Sequence, residues 1–134
     1  MKKRVTGIGG VFFKASDPEK IKAWYGKHLG LETHPYGATF RWLDPENRDA
    51  GTLARTEWSP FADDTGYFAP SEKPFMINYR VENLEELLAV LKEEGVTVVG
   101  EMESFEYGKF GWVMDPDGNK IELWEPIDDG FGGG

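Results

Sequence analysis

Phe13-Lys14-Ala15-Ser16-Asp17-Pro18 and Tyr79-Arg80-Val81-Glu82-Asn83-Leu84 are two versions of one device, in which a β-forming run ends and an Asp or Asn opens a helix. Gly30 closes the first helix and Gly95 the second, so the unit recurs at an offset of about 66 in a chain of 134 residues. That spacing exceeds the ~20–45-residue period of a solenoid and predicts two equivalent modules sharing one domain. Function is expected in the cleft or shared sheet between them.

Outward from these anchors, the elements follow in the same order twice. Ile8 to Ala15 is β-forming, Asp17 is an N-cap and Pro18 occupies the first helical position, where its missing N–H costs nothing. Ile21, Trp24, Tyr25, His28 and Leu29 fall on one apolar stripe by which this helix is expected to pack. Leu31–Tyr36, Ala38–Leu43 and Thr52–Trp58 read as three strands, divided by Gly37 and by the Asp44-Pro45-Glu46-Asn47 turn. Ser59 to Lys73 lacks periodicity, yet Phe61, Tyr67 and Phe68 predict a packed or lid-like loop and not a free tether.

In the second half, Phe75–Val81 is a strand, and Asn83 with Glu86 forms a capping-box pattern ahead of Leu84, Leu87, Leu88 and Leu91. Val96–Glu103, Phe105–Met114 and Lys120–Trp124 complete the repeat, the last two joined by the turn Asp115-Pro116-Asp117-Gly118-Asn119. The domain boundaries read as module one at about 5–58, a linker at 59–73, module two at about 74–126 and a flexible tail at 127–134.

Composition narrows the functions. Hydrophobic residues make up 40% of the chain and aromatics 14%, enough for a core without a partner. The absence of cysteine removes disulfides, thiolate nucleophiles and Cys-based zinc sites, and agrees with a reducing cytoplasm. No apolar run approaches the length of a membrane span. The net charge of −9 is concentrated in the second half, where 15 Asp/Glu face 5 Lys/Arg, so nucleic acid is not an expected partner.

The helix that reads Asp17-Pro18, Trp24-Tyr25 and Leu29-Gly30-Leu31, and the turn Asp115-Pro116-Asp117-Gly118-Asn119 running into Ile121-Glu122-Leu123, resemble the vicinal oxygen chelate superfamily of glyoxalases, bleomycin-resistance proteins and dioxygenases. The resemblance spans nearly the whole chain. It implies an α+β fold in which two tandem βαβββ modules form an incomplete mixed β-barrel around a cavity. It also implies a homodimer and, in the metal-using members, a His from the first strand of each module with a carboxylate from the last.

Counting back from the two helix caps places those His positions at Gly10 and Met76, neither of which suits a hard divalent ion. Glu122 matches the final carboxylate and Glu57 lies one module earlier, its direction depending on strand parity. No metal residues are therefore assigned and no cofactor is expected. A weakly held divalent ion completed by substrate phosphate and water remains open. His28 and His34 are expected to be structural or surface residues.

Strand alternation carried on from the family's inward positions then points Phe12, Lys14, Asn78 and Arg80, with Trp112 and Trp124, at the cavity. The alternative for the aromatics is simple barrel filling. Glu122, on an otherwise apolar strand, is the candidate catalytic residue. The resulting expectation is a cytoplasmic protein that binds a small organic molecule in an aromatic-walled pocket without a constitutive metal. The alternative is a lyase, isomerase or dioxygenase of glyoxalase type that uses Glu122 with a weakly held divalent metal.

Overall fold

In the computed structural model, which describes residues 4–44 and 53–127, the helix signals act as expected in the first half and differently in the second. Asp17 accepts a hydrogen bond from the Lys20 amide (3.2 Å) and opens α1 (Pro18–Leu29), which ends at a left-handed Gly30. Asn83, opening α2 (Leu84–Glu93), is itself left-handed and its side chain caps nothing. The capping carboxylate comes instead from Glu125, whose Oε1 accepts from the Leu84 amide at 2.8 Å. The Asn83–Glu86 capping box is thus replaced by a tertiary cap, invisible to local pattern.

The strands are β1 (Val5–Ala15), β2 (Ala38–Trp42), β3 (Ala54–Ala62), β4 (Phe75–Val81), β5 (Glu103–Phe105), β6 (Gly108–Met114) and β7 (Lys120–Pro126). They form one curled mixed sheet in the order β2-β3-β1-β4-β7-β6-β5, an incomplete barrel whose two halves meet where β1 and β4 run antiparallel. Each half keeps a parallel pair beside that seam, β1 with β3 and β4 with β7.

Two expected strands fail for physical reasons. Leu31–Tyr36 contributes only a bridge between His34 and Gly37, because the carbonyls of His34 and Pro35 are taken by the ammonium of buried Lys22 at 3.3 and 3.0 Å. Pro35 also has no N–H to offer a ladder. Val96–Glu103 keeps one bridge, Val98 to Val113, before a left-handed Gly100 turns the chain, and only Glu103–Phe105 resumes pairing. In the other direction, β3 runs on to Ala62, so the first residues of the expected linker belong to the sheet.

The helices cover the outer face unequally. Leu84, Leu87 and Leu88 of α2 are buried with Val81, Val113 and Leu123 in the main apolar cluster. The α1 stripe does not pack as expected: the helix is turned so that Lys22 is buried and Tyr25 meets Trp58, while Trp24 is 50% and Leu29 66% exposed. His28 is likewise exposed against Trp24, their ring centroids 5.0 Å apart. A second cluster of Phe68, Met76 and Trp112 lies beneath the cleft, packed against the lining residues Phe12, Phe61 and Phe110.

Candidate functional site

Strand pairing alone builds the centre of the site. Thr39 lies opposite Glu57, Glu57 opposite Gly10, Gly10 opposite Asn78, Asn78 opposite Glu122 and Glu122 opposite Trp112. Five strand pairings therefore align six residues in one rung across the sheet. Glu57 and Glu122 occupy equivalent places in the two parallel pairs, which makes Asn78, and not Met76, the counterpart of Gly10. Counting from the helix caps misses this because seven positions separate Gly10 from Asp17 but five separate Asn78 from Asn83. Met76 lies fully buried beneath the cleft floor.

Glu122 is 2% exposed and both its oxygens are engaged. Asn78 Nδ2 donates to Oε1 at 2.7 Å, Trp112 Nε1 donates to Oε2 at 2.9 Å, and the Tyr67 hydroxyl also donates to Oε2. Burying an unpaired carboxylate is costly, and three donors in a site of low polarity offset that cost. Burial and the neighbouring Glu122 charge raise the Tyr67 pKa well above that of an ordinary phenol. Two-fifths of Tyr67 is still solvent-exposed, so it is the hydroxyl end that the cleft removes from water. Lys120 donates to the Tyr67 carbonyl at 2.7 Å and lies over the Tyr67 and Trp112 rings, where burial lowers its pKa against the opposing pull of Glu122.

Glu57 is held differently. Thr39 donates to Glu57 Oε2 at 3.0 Å, and His34 Nε2 lies 3.0 Å from the Thr39 hydroxyl. The Tyr36 amide donates to His34 Nδ1 at 3.2 Å, which assigns the ring proton of a neutral imidazole to Nε2. The chain His34 to Thr39 to Glu57 is consistent in direction from the backbone inward.

Both carboxylates line a cleft of about 1030 Å³ between the halves. Its lining also includes Phe12, Asn78 and Trp124. Trp112 stands behind Glu122, and Arg80 lies behind the wall with its guanidinium 5.4 Å from the Trp124 ring. Lys14 belongs to a separate groove beside α1, its ammonium 5.9 Å from the Phe68 ring. Tyr67, Thr39, His34, Arg41 and Arg55 are cleft residues that the sequence reading does not single out as such. Parity along β3 from Glu57 points to Arg55, whereas Tyr67 sits in an aperiodic loop that offers no such signal.

The donor set does not suit the metal that the resemblance implies. Gly10 supplies no ligand, and a Cβ added there would meet the Phe12 ring at 2.7 Å, so that ring fills the space a ligating side chain would need. The oxygens of Glu122 face N–H and O–H protons. Among the described residues, no three His, Cys, Asp or Glu side chains come together as a metal site.

The family profile described as Glyoxalase/Bleomycin resistance protein/Dioxygenase superfamily matches residues 7–123. The chain belongs to this superfamily. Among solved structures it is similar to methylmalonyl-CoA epimerase from Mycobacterium tuberculosis, with 21% identity over 95% of this chain and 92% of that one and a TM-score of 0.62. A Streptomyces coelicolor methylmalonyl-CoA epimerase variant in complex with 2-nitronate-propionyl-CoA is 14% identical over 92% of this chain and 99% of that one, at a TM-score of 0.62. A superfamily member from Vibrio splendidus 12B01 is 16% identical over 88% and 97%, at 0.56. At these identities the likeness shows the superfamily fold. No curated protein matches the sequence. No helix among the described residues is long and apolar enough to cross a membrane.

Proposed function

We propose that this superfamily member binds a small organic molecule in the cleft between its halves, and does so without a resident metal ion. The observation that carries the reading is the state of Glu122. Asn78, Trp112 and Tyr67 take three of its roughly four acceptor sites and both oxygens, so in this reading it braces the site and neither ligates a cation nor takes a proton from a substrate. The lyase, isomerase or dioxygenase alternative asks Glu122 to do one of those two things, and the same three donors oppose it.

What remains for recognition is a concave wall with aromatic sides and a few convergent polar groups, the usual make-up of a small-molecule site. Glu57, Asn78 and the rings of Phe12, Phe61 and Trp124 all reach it. The epimerases that share the fold act on a CoA ester, but nothing in these residues alone selects that class.

The test is elemental analysis of the purified protein with thermal unfolding in Mg²⁺, Mn²⁺, Ni²⁺ and Zn²⁺. The expected result is substoichiometric metal and no ion-specific rise in Tm. Stoichiometric metal that survives dialysis, with a Tm raised by several degrees, overturns the metal-free reading.

A further inference from the structure

The cleft wall is banded, and the bands describe the molecule it takes. Side chains at alternate positions of β3 line it: Arg55, Glu57, Ser59 and Phe61. Across the β2–β3 pair, Arg41 stands opposite Arg55 and Thr39 opposite Glu57. One band therefore sets two guanidinium side chains across from each other on the cleft wall, where an anion lying between or beside them meets both. The Arg55 guanidinium also lies 5.6 Å from the Trp124 ring. Trp124 is buried and stacks on Phe110, centroids 5.8 Å apart and planes 8° from parallel, so Phe110 is the more exposed aromatic at this end.

The next band, one pleat period or roughly 7 Å away along the strands, accepts hydrogen bonds. Glu57 faces the cleft there, and so does Asn78. Because a carboxylate can only accept, the bond to Glu122 fixes Asn78 Nδ2 as its donor and aims Oδ1 the other way. That oxygen is buried without a hydrogen-bond partner. The space a Cβ would take at Gly9 is filled by this oxygen, with Trp124 and Arg80 beside it, so Oδ1 is sealed inside the wall and Glu57 is the acceptor that the cleft presents.

We propose that the ligand is a flat organic anion carrying a hydrogen-bond donor roughly 7 Å from its charged group. The carboxylate or phosphate lies at Arg41 and Arg55, the ring lies beside Phe110, and the donor reaches Glu57. The overall charge of −9 does not oppose this, since exposed charges beyond about 8–10 Å are screened at physiological salt and the two guanidiniums are in contact range. The inference rests on the small-molecule reading above and narrows it to a ligand class.

Four matched probes separate the parts: indole-3-acetate (anion and donor), 3-methylindole (donor without the anion), N-methylindole-3-acetate (anion without the donor) and tryptamine (donor with a cation). Calorimetry gives affinity, and the indole N–H resonance of Trp124 in a nitrogen-15 correlation spectrum reports occupancy of the cleft. Indole-3-acetate is expected to bind about tenfold or more tightly than 3-methylindole, the scale of one charge-assisted hydrogen bond. Arg55→Gln or Arg41→Gln erases that preference, and Arg41→Lys, at an exposed position, keeps part of it. N-methylation weakens binding severalfold.

Tryptamine binding as tightly as indole-3-acetate, or Gln variants that keep the preference, overturns the anion assignment while leaving the small-molecule reading intact. Failure of all four probes to move the Trp124 signal overturns both.

Discussion

Glu57 and Glu122 hold equivalent positions in the two halves and do opposite jobs. Each lies on the strand that pairs in parallel with the first strand of its module, on the same rung of the sheet. Glu122 is fully buried and accepts from three side chains, whereas Glu57 accepts from Thr39 and faces the cleft. The difference arises in the surroundings. Module two supplies Asn78 where module one has Gly10, the 63–74 segment drops Tyr67 onto Glu122, and the β6–β7 hairpin brings Trp112 beside it. Duplication preserved the position of the carboxylate, and the neighbours decide whether it braces the fold or meets a ligand.

The sharpest way to break the comparison is to make the same change twice. Glu122→Gln removes the negative charge that three buried donors share and sets an amide N–H₂ against at least one of them. We expect a loss of about 3 kcal/mol in unfolding free energy, within the range for breaking a buried hydrogen-bonded charge. Glu57→Gln, with one donor and solvent near, is expected to cost no more than about 1 kcal/mol. Urea unfolding of both variants measures the gap. Equal losses would mean that the two carboxylates are not divided between bracing and binding.

How much of this is legible in the sequence follows from which interactions are local. The Asp17 cap, the glycine stops and strand β4 can be read residue by residue, since each depends on near neighbours in the chain. The Asn83 cap and the Leu31–Tyr36 strand mislead because distant or non-ladder partners decide them: Glu125 caps α2, and Lys22 takes the carbonyls a strand would have used. The α1 stripe is apolar as its spacing indicates, yet it is not covered. Within the site, Glu122, Asn78, Phe12 and Trp124 emerge from alternation along single strands. The partner of Gly10 does not, because the distance from rung to helix differs between the halves and β1 carries register shifts between Val5 and Gly7 and between Ile8 and Gly10.

A smaller effect tests the brace from its donor side. Tyr67→Phe removes one of three donors to Glu122 and is expected to cost about 1 kcal/mol. The same hydroxyl sets an alkaline signature. Its pKa is raised in the folded state, so above about pH 10 the native protein holds a proton that the unfolded chain releases, and stability falls as pH rises. Lys120 contributes with the opposite sign: its pKa is lowered on folding, so stability rises with pH from its folded value to about 10.5. Tyrosinate absorbance should therefore show the native protein keeping the Tyr67 phenol unionised at a pH where the unfolded chain has ionised it. In Tyr67→Phe that difference disappears. If it persists, the protected phenol is another residue and the link from Tyr67 to Glu122 is broken.

The smallest expected effect lies at Glu57, and for that reason it discriminates well. Thr39→Val keeps the shape of the side chain and deletes the hydroxyl that receives the His34 proton and passes one to Glu57. Because Glu57 retains water on its cleft side, stability should change by less than about 1 kcal/mol. The direction of Glu57 should change more, since Thr39 is the side chain that holds Oε2 in place. A ligand that uses Glu57 as acceptor should then bind severalfold more weakly, while one that uses only Arg41 and Arg55 should be unaffected. Indole-3-acetate and N-methylindole-3-acetate form that pair, and calorimetry on the variant compares them directly. A stability loss as large as that of Glu122→Gln would show that Glu57 is a second brace, and the contrast between the halves would collapse.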